Sequence, residues 1–287
     1  MGIGFIGAGN MGGAIIKGYA ASGAAADGAL FVYDSDAGKA AALAGAGLPV
    51  VAAGSLEELA GLCGTLVLCV KPNVMDDVLD GLAALGAGAG AEGAEAKGDG
   101  APPEQDGRLV VSIAAGVSIG HIQGKLGAGT RVVRVMPNTP AMVGEGMSAM
   151  SASDGLSKAD ADAAEKLFGA VGKAVWVDEG LMDTVTGISG SSPAYAYLYI
   201  EGLARAGVDG GLDRETATVL AAQSTLGAAK MVLENLGGDD PQQLCTNVCS
   251  PGGATIEAVK ALEADGFIET VGKAAKASAA KSKLMAR

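Results

Sequence analysis

Two short stretches hold residues whose types and spacing suit chemistry. The first is Ser250-Pro-Gly-Gly-Ala-Thr255, two hydroxyls and two consecutive glycines just before an apolar-periodic run that starts near Ala254. Pro and Gly in this order are common punctuation between helices. A second reading stands beside that one: flexible residues at a helix N-terminus free backbone N–H groups to converge on an anion. The other stretch is Gly7-Ala-Gly-Asn-Met-Gly12, a G-x-G-x-x-G pattern. Its setting makes it specific. It follows the apolar run Ile3-Gly-Phe-Ile6, opens a segment with helical spacing of Met11, Ile15 and Tyr19, and is answered by Asp34 at the end of the next apolar run. A dinucleotide cradle needs that arrangement. Gly7 makes the tight turn, Gly9 lets the backbone approach a pyrophosphate, Gly12 packs helix on strand, and Asp34 accepts from the ribose hydroxyls.

The charge of Asp34 repels a 2′-phosphate and so leans the cofactor toward NADH. Ser35 directly after it and Lys39 one helical turn on would accommodate the phosphate of NADPH if Asp34 rotated away. A nicotinamide does hydride chemistry, for which the protein must mainly hold an electrophilic carbon against the ring. Competing chemistries lack their residues. The single histidine, His121, supports no convincing Ser-His-Asp set, and Gly187-Ile-Ser-Gly-Ser191 misses the nucleophile-elbow spacing. His121 follows Ser118 at a short helix start, where capping or solvation accounts for it. Cys245 and Cys249 have no second pair to complete a zinc set, so no metal is expected.

Bulk properties narrow the partner. A net charge of −12 disfavours nucleic acid and anionic membrane surfaces, leaving a small molecule. The N-terminus lacks the features of a secretory signal, no apolar run approaches a spanning length, and four scattered cysteines form no disulfide framework. A reduced, cytoplasmic setting is the expectation.

The elements that must position these residues alternate. Apolar runs at 3–9, 29–34, 49–52, 65–72, 108–114, 130–137 and 173–178 read as strands, separated by helical patterns including 37–46, 55–62, 74–85, 119–126 and 158–171. Such alternation predicts a parallel sheet covered by helices on both faces. Residues 86–107, rich in Gly, Ala, Pro and acid, read as an exposed, mobile loop. Beyond Gly180 the pattern turns helical, which divides the chain into 1–179 and 180–287. One helix opens with Ser192 as N-cap and Pro193 at its first position and closes at Gly207. The next keeps Val219, Ala222, Leu226, Ala229 and Leu233 on one stripe that wants another helix against it, and a dimer through these helices is the natural expectation.

Six segments together resemble the pyrroline-5-carboxylate reductase family over nearly the full length of the chain. They are IGFIGAGNMGGAI, Val70-Lys-Pro72, SIAAGVSI at 112–119, RVMPNTPA at 134–141, DTVTGISGSSPAYAY at 183–197 and NVCSPGGATIEAV at 247–259. The last two are the specific ones. The resemblance implies an α/β Rossmann-type dinucleotide-binding domain followed by an all-α dimerisation domain that interlocks in a homodimer, often within a larger ring of dimers. It implies hydride transfer from NADPH or NADH to the imine carbon of 1-pyrroline-5-carboxylate, giving L-proline. Ser250, Gly252, Gly253, Ala254 and Thr255 would then bind the substrate across the dimer interface, with Thr255 on the ring nitrogen as the catalytic residue. Gly9, Asn10 and Met11 would contact the pyrophosphate, Val70, Lys71 and Pro72 the cofactor edge, and Ala114 and Asn138 the region near the nicotinamide. Two departures stand out: the long 86–107 insert, and Asp34 where the family commonly prefers NADPH. A related hydroxyacid dehydrogenase would carry a Lys on the helix SPAYAYLYIEGLARAG, which has none. Another imine reductase, or a non-catalytic dinucleotide sensor, are further readings, and a sensor needs no carboxylate cradle.

Overall fold

The computed structural model describes residues 2–23, 25, 30–89 and 107–285. The chain packs as two compact units, 1–190 with 278–287, and 191–277.

The first unit is built on one eight-stranded sheet among the described residues, in the order β3-β2-β1-β4-β5-β6-β7-β8. Its elements run β1 (Gly2–Ile6), α1 (Asn10–Ala21), β2 (Leu30–Tyr33), α2 (Ala37–Ala44), β3 (Val50–Ala52), α3 (Leu56–Leu62) and β4 (Cys63–Leu68). Then come α4 (Met75–Ala89), β5 (Leu109–Ser112), α5 (Ile119–Leu126), β6 (Arg131–Met136), β7 (Gly146–Ala152), α6 (Lys158–Gly169), β8 (Gly172–Trp176) and α7 (Met182–Val185). The first six strands are mutually parallel. They wind outward in both directions from β1 and β4, which creates a crevice at their C-terminal ends. β5 is buried along its whole length, as a central strand covered on both faces must be. One face buries Phe5, Ile15, Ile16, Phe168 and Met150. The other buries Leu59, Leu68, Met75, Leu79 and Ile122 under α3, α4 and α5.

Local chemistry sets the helix starts. Ser55 accepts from Glu58 N at the head of α3, Ser118 from His121 N at the head of α5, and Ser157 forms a reciprocal capping box with Asp160 on α6.

Three sequence expectations need correction. The sheet has one more strand than the patterning gives, because β7 (GMSAMSA) is made of small residues and methionines with no β-branched run to announce it. It pairs antiparallel with β6, so the sheet is mixed. The helix before the insert continues through Ala89 instead of stopping at Leu85, since a glycine costs a helix interior only about 1 kcal/mol relative to alanine and does not by itself end it. The remainder of the expected loop, 90–106, lies outside the described residues.

The second unit is helical: α8 (Ser192–Asp209), α9 (Arg214–Glu234), α10 (Pro241–Val248), α11 (Ala254–Ala264) and the start of α12 (Phe267–Met285). The N-cap position of α8 is Ser191, one residue earlier than expected, and the helix runs past Gly207 to Asp209. Gly207 is no stop because it is a contact: a Cβ there would sit 2.9 Å from Ala217 Cβ on α9. Ala204, Ala217 and Ala221 are buried between the two helices. The expected stripe on α9 faces elsewhere, with Val219 60%, Leu226 54% and Leu233 49% exposed.

Candidate active site

The G-x-G-x-x-G turn links β1 to α1 at the crevice between β1 and β4. Gly7 has φ +107°, and its N–H donates to Tyr33 O at 2.8 Å. A Cβ there would lie 2.9 Å from the backbone of Cys69, just past β4. Gly12 touches the same place from the helix side, since a Cβ would stand 2.5 Å from Gly7 O and 2.9 Å from Cys69 Cβ. Gly9 differs from both. It is the N-cap of α1, and no protein atom lies within 4 Å of where its Cβ would be. A glycine cap has no side chain to satisfy the first-turn N–H groups, which remain available to an anion together with the positive end of the helix. Open space where a Cβ would point and uncapped donors beside it are what a pyrophosphate needs, so these residues fit the cofactor.

Asp34 closes the turn from the side. Its Oδ2 accepts from Ala8 N at 2.7 Å and its Oδ1 from Asp36 N at 2.9 Å. Asp36 also caps α2 through Gly38 N, and Lys39 lies 3.7 Å from Asp36 Oδ2. A cleft of about 430 Å³ opens between α1, α2 and the turn after β6, with Gly9, Asn10, Lys17, Lys39, Ala141 and Met142 on its walls.

Other residues of the first unit gather at the same ends of the strands. Val70 and Lys71 follow β4, with exposed Lys71 N-capping the short 3₁₀ turn Pro72–Val74. Ala114 follows β5 and is 4% exposed. Asn138 follows β6 and is buried, its side chain bonded to Met147 N and to Ser189 O.

In the second unit, Ser250–Thr255 joins α10 to α11. Gly252 has φ +70°, a conformation that a glycine adopts at little cost, and Gly253 N donates to Ser250 O at 3.0 Å. Gly253 is the N-cap of α11 and makes no side-chain cap bond. A Cβ at Gly253 would run into Ser250 Oγ, so the glycine lets the hydroxyl fold over the helix end. Ser250 and Thr255 are exposed. One hydroxyl, one turn and the uncapped N–H groups of α11 thus lie together at the head of that helix, where an anion is favoured.

Comparison with known proteins is decisive here. The chain is 40% identical over 265 residues to the pyrroline-5-carboxylate reductase of Escherichia coli (strain K12), an alignment covering 92% of this chain and 91% of that one. The chain belongs to the pyrroline-5-carboxylate reductase family. Residues 179–285 match the family described as pyrroline-5-carboxylate reductase dimerisation, and residues 2–89 match NADP oxidoreductase coenzyme F420-dependent. Among solved structures, pyrroline-5-carboxylate reductase from Coxiella burnetii superposes with TM-score 0.86 at 33% identity, covering 99% of this chain and 98% of that one. The Plasmodium falciparum pyrroline carboxylate reductase with NADP bound gives 0.80 at 32% identity, covering 100% and 98%.

As a member of this reductase family, the protein is an NAD(P)-dependent oxidoreductase that reduces 1-pyrroline-5-carboxylate to L-proline. The resemblance read from the six segments and the α/β architecture with a helical C-terminal part both hold. Among the described residues no helix is long and apolar enough to cross a membrane. Within the first unit the structure brings Gly7, Gly9, Asn10, Met11, Gly12, Asp34, Ser35, Val70, Lys71, Pro72, Ala114 and Asn138 to one end of the sheet. Lys17 in the cleft wall escaped the sequence reading. It is the only charged side chain of α1, two turns beyond the glycines, and that was the available signal.

Proposed function

We propose that this reductase prefers NADH, receives the substrate carboxylate at Ser250–Thr255, and works in the cytoplasm as a homodimer, with 1–179 serving the cofactor and 180–287 serving dimerisation and substrate. The observation that carries the cofactor choice is the double anchoring of Asp34. Rotating its carboxylate away to admit a 2′-phosphate would break the bonds from Ala8 N and Asp36 N together. Each is a charge-assisted bond, worth roughly 1.5–3 kcal/mol. The remaining lone pairs of the same oxygens suit a ribose diol.

The reduced nicotinamide, when bound, supplies the hydride that reduces the imine carbon. What the chain supplies is placement. Gly9, Asn10 and Met11 would hold the pyrophosphate at the head of α1. The N–H groups at the head of α11 and the Ser250 hydroxyl would fix the carboxylate. Thr255, in the first turn of that helix, would hydrogen-bond the ring nitrogen. The imine takes its proton from water, so orientation and this one polar contact account for the residues present without a dedicated acid.

Self-association is supported by the second unit's surface. Tyr197 is 60% exposed and Leu198 74% on α8, and Val219 60%, Leu226 54% and Leu233 49% on α9, large apolar side chains that a second copy would cover. The test is oxidation of NADH and NADPH in parallel with 1-pyrroline-5-carboxylate, at equal cofactor concentration, with the mass in solution measured alongside. Faster NADPH turnover would overturn the cofactor reading, and an active monomer the assembly.

A further inference from the structure

Asn138 stands where the sheet comes apart. β6 and β7 pair antiparallel with Met136 opposite Ala149, and the same register carried past the last ladder pair sets Asn138 opposite Met147. The side chain takes over at that point. Asn138 Oδ1 accepts from Met147 N at 2.8 Å, and Nδ2 donates to Ser189 O at 3.2 Å, inside the π-helical segment Thr186–Gly190. Its carbonyl accepts from Ala141 N at 3.2 Å as it caps the 3₁₀ turn Thr139–Val143. One buried residue therefore ties three segments together, and its amide spends an acceptor and a donor on backbone groups. The third segment matters most, because Ala141, Met142 and Gly144 line the same cleft as Gly9 and Asn10. That wall is held in little space: Gly144 has φ +78°, and a Cβ at Gly146 would lie 2.8 Å from Ala141 Cα.

We infer that Asn138 is a positioning residue for cofactor binding, acting through the 139–144 wall by clamping it to β7 and to the π-helical segment. The inference rests on the cleft being the dinucleotide site and is independent of which substrate is reduced. π-helical turns are rare and occur frequently at functional sites.

Two measurements test it. The first is amide hydrogen exchange in the cofactor-free protein, which needs no catalysis. Asn138→Ala should raise exchange at Met147 and across 139–144 by about tenfold or more while the sheet core stays protected, because buried backbone groups lose their partners. Unchanged exchange there would overturn the clamp whatever the enzyme's activity. The second is fluorescence titration of NADH into wild type, Asn138→Ala, Gly144→Val and the double variant. Each single change should weaken binding by about tenfold, and the double should weaken it by clearly less than the product, because both loosen the same wall. Losses that multiply would mean Asn138 touches the cofactor itself and would overturn the positioning role. Asn138→Asp keeps an acceptor for Met147 N and should recover part of the loss. Where the alanine variant fails to fold, the aspartate variant carries both measurements. A wild type that binds NADH yet turns over no substrate would count against the proposed substrate site and leave this inference standing.

Discussion

Replacing Asp34 with Ser tests the cofactor reading most directly. In the wild type the carboxylate holds Ala8 N at 2.7 Å and Asp36 N at 2.9 Å. On the proposed reading it is then fixed where the adenosine ribose of a dinucleotide would lie, at the end of β2. Serine removes the charge and the reach to the glycine turn. For NADH the lost ribose contact is a hydrogen bond to a charged group, about 1.5–3 kcal/mol, or roughly a tenfold to hundredfold loss in kcat/KM. For NADPH the change works the other way. A unit charge about 4 Å from a phosphate costs between roughly 1 kcal/mol in bulk water and 4 kcal/mol at an effective dielectric of 20, so at least about a fivefold gain is expected. The ratio of kcat/KM for the two cofactors should move by about two orders of magnitude toward NADPH. Steady-state rates with 1-pyrroline-5-carboxylate at low salt, repeated at about 0.5 M salt, provide the assay, and added salt should shrink the wild-type penalty on NADPH by screening. Asp34→Asn keeps an acceptor for Ala8 N without the charge and separates clamping from repulsion. A ratio that moves by less than about threefold in Asp34→Ser would refute the reasoning and leave Asp34 as a clamp of the turn alone.

Further outcomes are expected at the glycine turn, the 250–255 loop and the cysteines. Gly9→Val should retain the wild-type melting temperature, because its side chain enters open space, yet abolish cofactor binding; Gly12→Ala should instead lower stability by about 1–3 kcal/mol in urea unfolding, because its Cβ meets Gly7 O. Thr255→Ala should lower turnover about tenfold to a hundredfold with KM for the cofactor unchanged, read by initial rates, and an unaltered kcat would remove Thr255 from the mechanism. Burial pushes the Cys63 thiol up from 9.0 to about 11 and raises Cys69 further, so both stay protonated in the folded protein while the unfolded chain ionises. The contribution of Cys63 to stability is complete below about pH 9 and lost as pH rises to about 11, while that of Cys69 goes on falling above this, so the urea midpoint should fall across that window and fall less in Cys63→Ala. Iodoacetamide at pH 8 should label exposed Cys245 in the native protein and spare Cys63 and Cys69, by peptide mass mapping.

Much of this protein is legible in one dimension because its chemistry is local. The spacing of Gly7, Gly9 and Gly12 and the placement of Asp34 report a strand-turn-helix unit of a few dozen residues, within which sequence separation and spatial separation agree. The Ser250–Thr255 loop is legible for the same reason, since a turn and a helix start need only adjacent residues. What sequence alone could not decide involves partners far along the chain. β7 is a strand because β6 and β8 give its backbone groups partners on either side, and its alanines, serines and methionines carry no signal of that. Gly207 reads as a helix end but sits inside α8, where its missing side chain admits Ala217. The locking of Asp34 by Ala8 and the clamp of Asn138 on Met147 and Ser189 bridge 26, 9 and 51 residues. Residue types along the sequence determined which glycine turns and uncapped helix starts the chain can form. Only the tertiary structure decided which groups around them are held fixed, because a hydrogen bond between distant residues exists only once the sheet has brought their backbones together.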